Sequence, residues 1–254
     1  GTIRLPPWAD RNPIAGGDTR TVIDVALYAG LIAALLVTLV GSMPRWEILA
    51  VLGCLALIGL RDQTIFLAAR SEHYWVTAIA FLFPFVDLIV AAKLIMVAIW
   101  WGAATSKLNM HFPYVVSTML SNAPLVPKTV KRRLWRDAEF DVRPSFISRS
   151  LAHGGTVVEF GVPLILLLSN GGWVTTIALI IMILFHLQIL TAIPMGVPLE
   201  WNVVMMFGAV MLFGHYSEYG VADVTEPLLP FGLIALLIAT VVSGNLRLDL
   251  FSFL

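Results

Sequence analysis

From Val22 to Met43 the chain runs through an unbroken apolar stretch in which Asp24, near its start, is the one charge. About 20 mostly apolar residues suffice to cross a bilayer as a helix, so this run by itself excludes a water-soluble fold for its surroundings. Pro44 ends it and Trp46 marks an interface. More apolar runs come after it. Trp46 to Leu60 is short, is interrupted by Arg61-Asp62-Gln63 and resumes over Thr64 to Ala69. Tyr74 to Ala104 is the longest and carries Pro84, Asp87 and Lys93. Thr156 to Leu168, Trp173 to Ile193, Leu199 to Tyr216 and Leu228 to Ser243 complete the series. Composition agrees, with 59% hydrophobic and 13% charged residues against about 25% charged in soluble domains. The pattern predicts an all-α, polytopic integral membrane helix bundle of about six or seven transmembrane segments and no sheet. Trp46, Trp75, Trp100, Trp101, Trp173 and Trp201 lie at the ends of the runs, where an aromatic belt belongs.

The polar stretches divide the chain into an N-terminal interfacial segment (1–20), N-terminal transmembrane helices (21–105), a basic loop (106–153) and C-terminal transmembrane helices (154–254). The first residues, Gly-Thr-Ile-Arg-Leu-Pro-Pro-Trp, and the close on Phe-Ser-Phe-Leu lead us to expect a piece of a longer protein. The basic loop holds Lys107, Lys128, Lys131, Arg132, Arg133, Arg136, Arg143 and Arg149. Positive residues accumulate on the cytoplasmic side of membrane proteins, which puts this loop inside. Lys128, Lys131, Arg132, Arg133 and Arg136 then face anionic lipid headgroups or, alternatively, a partner protein. The sixteen basic and sixteen acidic residues cancel, leaving no electrostatic case for nucleic acid.

The same rule bears on Tyr74 to Ala104. One continuous helix would put ten basic residues inside and four outside. A break at Pro84 and Asp87, with a re-entrant half-helix and a returning helix, would put thirteen inside and one outside. Arg61 and Lys93 lie within apolar runs and stay out of both tallies. A re-entrant hairpin must be buried in protein or line a cavity, so the sequence leaves both topologies open.

Charges at membrane depth are costly and mark function by default. Arg61, Asp62, Asp87, Lys93 and Glu159 are the candidates for a buried polar pocket, with Glu159 available to Lys93. His186 is the histidine in the middle of a clear membrane run. A haem between helices wants a second such histidine, and no metal or nucleotide motif accompanies it, so the cofactor is unknown. Cys54 is alone and reads as a small apolar side chain. Three readings compete: a membrane-embedded enzyme or binding protein for a lipid or quinone, a non-catalytic subunit that anchors or scaffolds partners in a complex, and a transporter, for which no inverted repeat speaks.

Three short patterns resemble one superfamily. Glu72-His73-Tyr74-Trp75 is similar to a His-containing segment of the vitamin K-dependent γ-glutamyl carboxylases. Trp101 to Asn109, ending Lys107-Leu108-Asn109, resembles a carboxylase and horizontally-transferred-transmembrane (HTTM) helix end, and Leu184-Phe185-His186 resembles a Phe-His of a later helix there. More closely, the whole chain looks like an actinobacterial transmembrane family of unknown function, on Gly1 to Trp8 and on Pro194 to Asn202. The carboxylase resemblance implies that Lys107 is the base that deprotonates an isoprenoid quinol, with His73 positioning that site. The actinobacterial resemblance implies a bacterial cytoplasmic membrane location. The 34 residues between His73 and Lys107 would span about 50 Å on one straight helix, at 1.5 Å per residue, so a shared site requires the break at Pro84.

Overall fold

The computed structural model describes residues 3–8, 13–14, 17–67, 71–192 and 196–246. Arg11, Arg70 and Arg247 of the charge tally lie outside these residues, as do Gly1, Thr2, Pro194 and Met195 of the two family phrases. The chain divides into two compact units, Gly1–Ile95 with Thr225–Leu254, and Met96–Val224.

In the first unit α1 (Val22–Val40) packs along α2 (Arg45–Arg61), which is followed by the short α3 (Thr64–Leu67) and by α4 (Ser71–Ala80). Leu31, Val51, Leu55, Ile58 and Ile65 form the core between them. Gly59 is required there: a Cβ would lie 2.1 Å from the Phe66 ring. The long run is two helices rather than one. α4 stops at Ala80, tight turns occupy Phe81 to Phe83, and α5 (Phe85–Ser106) starts directly after Pro84. Proline cannot donate a helical hydrogen bond and suits the start of a helix, which explains why the break falls here. α5 continues from the first unit into the second.

The second unit continues with α6 (Phe112–Asn122), α7 (Lys128–Arg133), α8 (Phe146–Leu168), α9 (Gly172–Ala192) and α10 (Gly196–Ala209), whose end widens into a π-helical turn over Val210–His215. Its core gathers Met96, Trp100, Val162, Leu166, Met182, Met205 and Phe213. α11 (Leu228–Leu246) belongs to the first unit. Among the described residues, α1, α5, α8 and α9 are long and apolar enough to cross a membrane, and Leu199–His215 is a shorter apolar helix. The architecture is thus the expected helical one. Among the described residues it departs from that in a small antiparallel hairpin, β1 (Trp135–Asp137) with β2 (Asp141–Pro144), inside the basic segment, and in an isolated bridge between Ile3 and Thr19. That segment is a folded element rather than a plain loop, and α8 begins within it, at Phe146 instead of beyond His153.

The N-terminal segment is fastened to the first unit by buried charges. The Asp24 carboxylate accepts from Arg4 Nη1 at 2.8 Å, from Arg61 Nε at 2.7 Å and from the Thr21 hydroxyl at 2.8 Å. Arg61 also donates to the Ile14 carbonyl at 2.6 Å. Asp62 accepts from the backbone N–H groups of Leu5 and Thr64, both at 3.1 Å, and from the Thr64 hydroxyl at 2.7 Å, with Arg20 at 3.4 Å. Burial works to raise its pKa, but these hydrogen bonds and Arg20 outweigh it and hold the carboxyl below its ordinary range. Removing one partner of a buried ion pair strands the other at a cost of about 3–5 kcal/mol. Asp24→Asn leaves Arg4 and Arg61 without their shared counter-charge, and a loss of that size is expected in the thermal unfolding of detergent-solubilised protein.

Candidate functional site

A buried acid with a partly exposed lysine partner lies in the second unit, where α5 ends. Lys107 sits in the turn that closes α5, its N–H bonded to the Ala104 carbonyl at 3.1 Å. Asn109 fixes the next turn of the chain. Its amide donates to the Ser106 carbonyl at 2.8 Å, and its Oδ1 accepts from the N–H groups of His111 and Phe112, both at 2.9 Å. The Lys-Leu-Asn sequence is therefore a helix stop and the start of α6 in one device, and it leaves the Lys107 side chain directed across to α8. There its ammonium donates to both oxygens of Glu159. The α5 C-terminus itself favours a cation at this place.

The pair is asymmetric. The Glu159 side chain is 4% exposed, whereas that of Lys107 is 20% exposed. The rings of Phe112 and Phe185 flank the ammonium, with centroids 5.7 and 5.8 Å away, close enough for cation–π attraction. One turn after Glu159 comes Pro163, inside α8. It removes a backbone donor, and in that turn the Trp101 indole donates to the Phe160 carbonyl at 3.0 Å. The pair is thus a polar site with an apolar rim, open on the lysine side.

Next to Phe185, His186 is held from two sides. Trp100 Nε1 is 2.9 Å from His186 Nε2, and His186 Nδ1 is 2.6 Å from Asn202 Oδ1. An indole N–H can only donate, so Nε2 is the acceptor and the proton resides on Nδ1, which donates to Asn202. Both ring nitrogens are therefore engaged, and His186 cannot serve as an axial or metal ligand in this arrangement. Phe213, brought in by the π-helical turn, packs on the other side of Trp100 with ring centroids 6.2 Å apart. Trp100 corrects the belt reading: it is 2% exposed and lies in the core, while Trp46 and Trp173 are exposed at helix ends, 64% and 75%.

The remaining candidates fall elsewhere. Asp87, at the start of α5, is fully buried and accepts from the Thr225 hydroxyl and from the N–H groups of Thr225 and Glu226, at 2.7 and 3.2 Å. It ties down the segment that leads into α11. Arg61 and Asp62 belong to the N-terminal fastening. Lys93 is buried on α5 and His73 is half-buried on α4, both in the first unit. Glu159 takes Lys107 of its own unit as a partner at both carboxylate oxygens. Lys128, Arg132, Arg133 and Arg136 are exposed, and Lys131 is half-exposed. Among the described residues, no group of three or more His, Cys, Asp or Glu side chains is placed to hold a metal. Phe112, Trp100 and Asn202 were not expected at the site. Phe112 lies in the basic segment and Trp100 and Asn202 in separate apolar runs, so only a helix-by-helix pairing would have brought them together.

A bundle of long apolar helices with paired buried charges defines a multi-pass helical membrane protein. The match to a family model is complete: residues 1–254 fit the transmembrane proteins of unknown function called DUF3556, and the chain belongs to that family. No curated protein and no solved structure matches it.

An unmet buried donor costs about 1–3 kcal/mol, whereas replacing both partners by apolar groups is nearly neutral. His186→Leu strands the Trp100 indole N–H and is expected to destabilise by about that amount. Trp100→Phe added to His186→Leu removes the stranded donor. The double variant is expected to melt at a higher temperature than the sum of the two single changes.

Proposed function

We propose that the second unit binds, and acts on, an apolar molecule with a polar head such as a lipid or a quinone or other isoprenoid, and that Lys107 and Glu159 receive the head. The observation that carries this reading is the half-open ion pair at the end of α5, rimmed by Phe112 and Phe185. The lysine side chain is the more exposed member of the pair, an ammonium has three donors, and the aromatic faces suit a ring or an unsaturated chain. The HTTM-like resemblance, which makes Lys107 a base, adds a condition in this geometry. An ammonium bonded to a carboxylate is not a base, so Lys107 must first pass its proton to Glu159. That exchange leaves the pair neutral and suits an apolar site.

The alternative, a membrane subunit that scaffolds partners, draws on α1, of which only 11% is buried. That surface is equally explained by lipid, and the alternative leaves the opening at Lys107 without a purpose. A bacterial cytoplasmic membrane, with the basic segment inside, remains the location that the charge distribution supports.

The test uses purified protein and native mass spectrometry of retained lipids. A charge-assisted hydrogen bond contributes about 1.5–3 kcal/mol, so Lys107→Met is expected to weaken retention of the bound species about tenfold to hundredfold. Lys107→Arg should retain part of it. Combining Lys107→Met with Glu159→Gln removes both charges and spares the fold from a stranded carboxylate. If that folded double variant keeps the same lipids as the native protein, the reading is wrong.

A further inference from the structure

The basic segment carries a surface that the Lys107–Glu159 site does not use. α6, α7, the β1–β2 hairpin and the start of α8 are stitched together. Ser145 donates through its N–H to the Leu134 carbonyl at 2.9 Å and through its hydroxyl to the Arg133 carbonyl at 2.7 Å. Ser148 adds a hydroxyl bond to Leu134 at 2.6 Å, and the Trp135 indole donates to the Ser121 hydroxyl at 3.1 Å. Leu134 is completely buried at the centre of these contacts. The block has a defined shape, yet it leaves large apolar side chains outside. Phe140, at the hairpin turn, is 89% exposed, and Leu125, Val142 and Phe146 are exposed as well.

The charges of the block are uneven. Asp137 is taken up by the turn, accepting from the N–H groups of Glu139 and Phe140 at 3.0 and 3.4 Å. Asp141 is bound by Arg143, with contacts of 2.6 to 3.1 Å, and its pKa is lowered to about 2, first by that hydrogen bond. Asp137 and Glu139, neither paired with a cation among the described residues, are left against Lys128, Lys131, Arg132, Arg133, Arg136 and Arg149. α7 itself, Lys-Thr-Val-Lys-Arg-Arg, contains no acid.

We infer that this block is a membrane-docking element specific for anionic phospholipid, in which α7 meets the headgroups and the Phe140 turn enters the interface. A block that exposes both aromatics and cations suits a surface that is charged outside and apolar within. Basic residues are attracted to such a surface by about 1 kcal/mol each, and the attraction is screened by salt. A folded protein partner would have to supply acids and an apolar pocket together, whereas a bilayer of acidic lipids supplies both everywhere. Neither Lys107 nor Glu159 takes part, so this inference stands apart from the proposed binding site.

The test places a reporter at the hairpin turn. The full chain with Cys54→Ser and Ala138→Cys is labelled with an environment-sensitive fluorophore. It is then reconstituted in nanodiscs of phosphatidylcholine alone or with phosphatidylglycerol. In anionic discs the emission is expected to shift to shorter wavelength and to be quenched by spin-labelled lipid. It should return to the aqueous value in phosphatidylcholine, and in anionic discs as salt rises to about 1 M, where the Debye length is about 3 Å. Each neutral replacement among Lys128→Gln, Lys131→Gln, Arg132→Gln and Arg133→Gln should weaken the enrichment of phosphatidylglycerol about fivefold. Phe140→Ser should abolish the quenching. Emission that is the same in both disc types, or a shift that persists at high salt, would overturn the inference. Either salt result is read on the labelled chain without the charge replacements, so it does not depend on the folding of those variants.

Discussion

A buried carboxylate has no water to turn to, and Asp24, Asp87 and Glu159 are each satisfied by another part of the chain. Asp24 is met by two arginines, Asp87 by a hydroxyl and two backbone N–H groups, and Glu159 by Lys107. These bonds do what hydrophobic burial cannot do in lipid, where an apolar helix gains nothing by leaving its neighbours' tails for another helix. They select which segments meet. Arg4 reaches α1 from the N-terminal segment, Arg61 reaches it from α2, and Lys107 links the end of α5 to α8.

The three arrangements differ in how far they are closed. The Asp24 cluster and the Asp87 cap are enclosed, with their acceptors directed at local backbone, hydroxyls or fixed guanidinium groups. Such groups hold the fold. The Lys107–Glu159 pair is built on the same principle but is left open at the lysine, with aromatic rings where further polar groups would complete it. Trp100, His186 and Asn202 stand behind it as a hydrogen-bonded chain that fixes the ring beside Phe185. An open, charged position supported by a rigid polar chain is the usual construction of a site that must hold something in place.

Much of this was legible in the residues. The apolar runs located the long helices and Arg61-Asp62-Gln63 located the end of α2, while Pro84 marked one of two open topologies, of which the structure has the break before α5. The importance of Glu159 and His186 followed from the cost of placing them in apolar runs. Partner identity did not follow, because it depends on which helices lie side by side, and single-sequence periodicity is silent on that. Hence periodicity does not pair Glu159 with Lys107, and Trp100, at the end of an apolar run, turns its indole inward to His186 instead of facing an interface. The hairpin Trp135–Pro144 was missed because its strands are short and mostly exposed, without the alternation that marks a strand. The weight of Asp24 was also underestimated, although Thr21-x-x-Asp24 resembles a helix-start pattern.

The central claim is that the opening at Lys107 is occupied. A high-resolution density map of the protein in nanodiscs formed with its native lipids tests this directly. The expected result is an elongated non-protein density beside Phe112 and Phe185, with its polar end within hydrogen-bonding distance of the Lys107 amine. A map in which Lys107 and Glu159 are sealed by side chains, with no density against the amine, would contradict it.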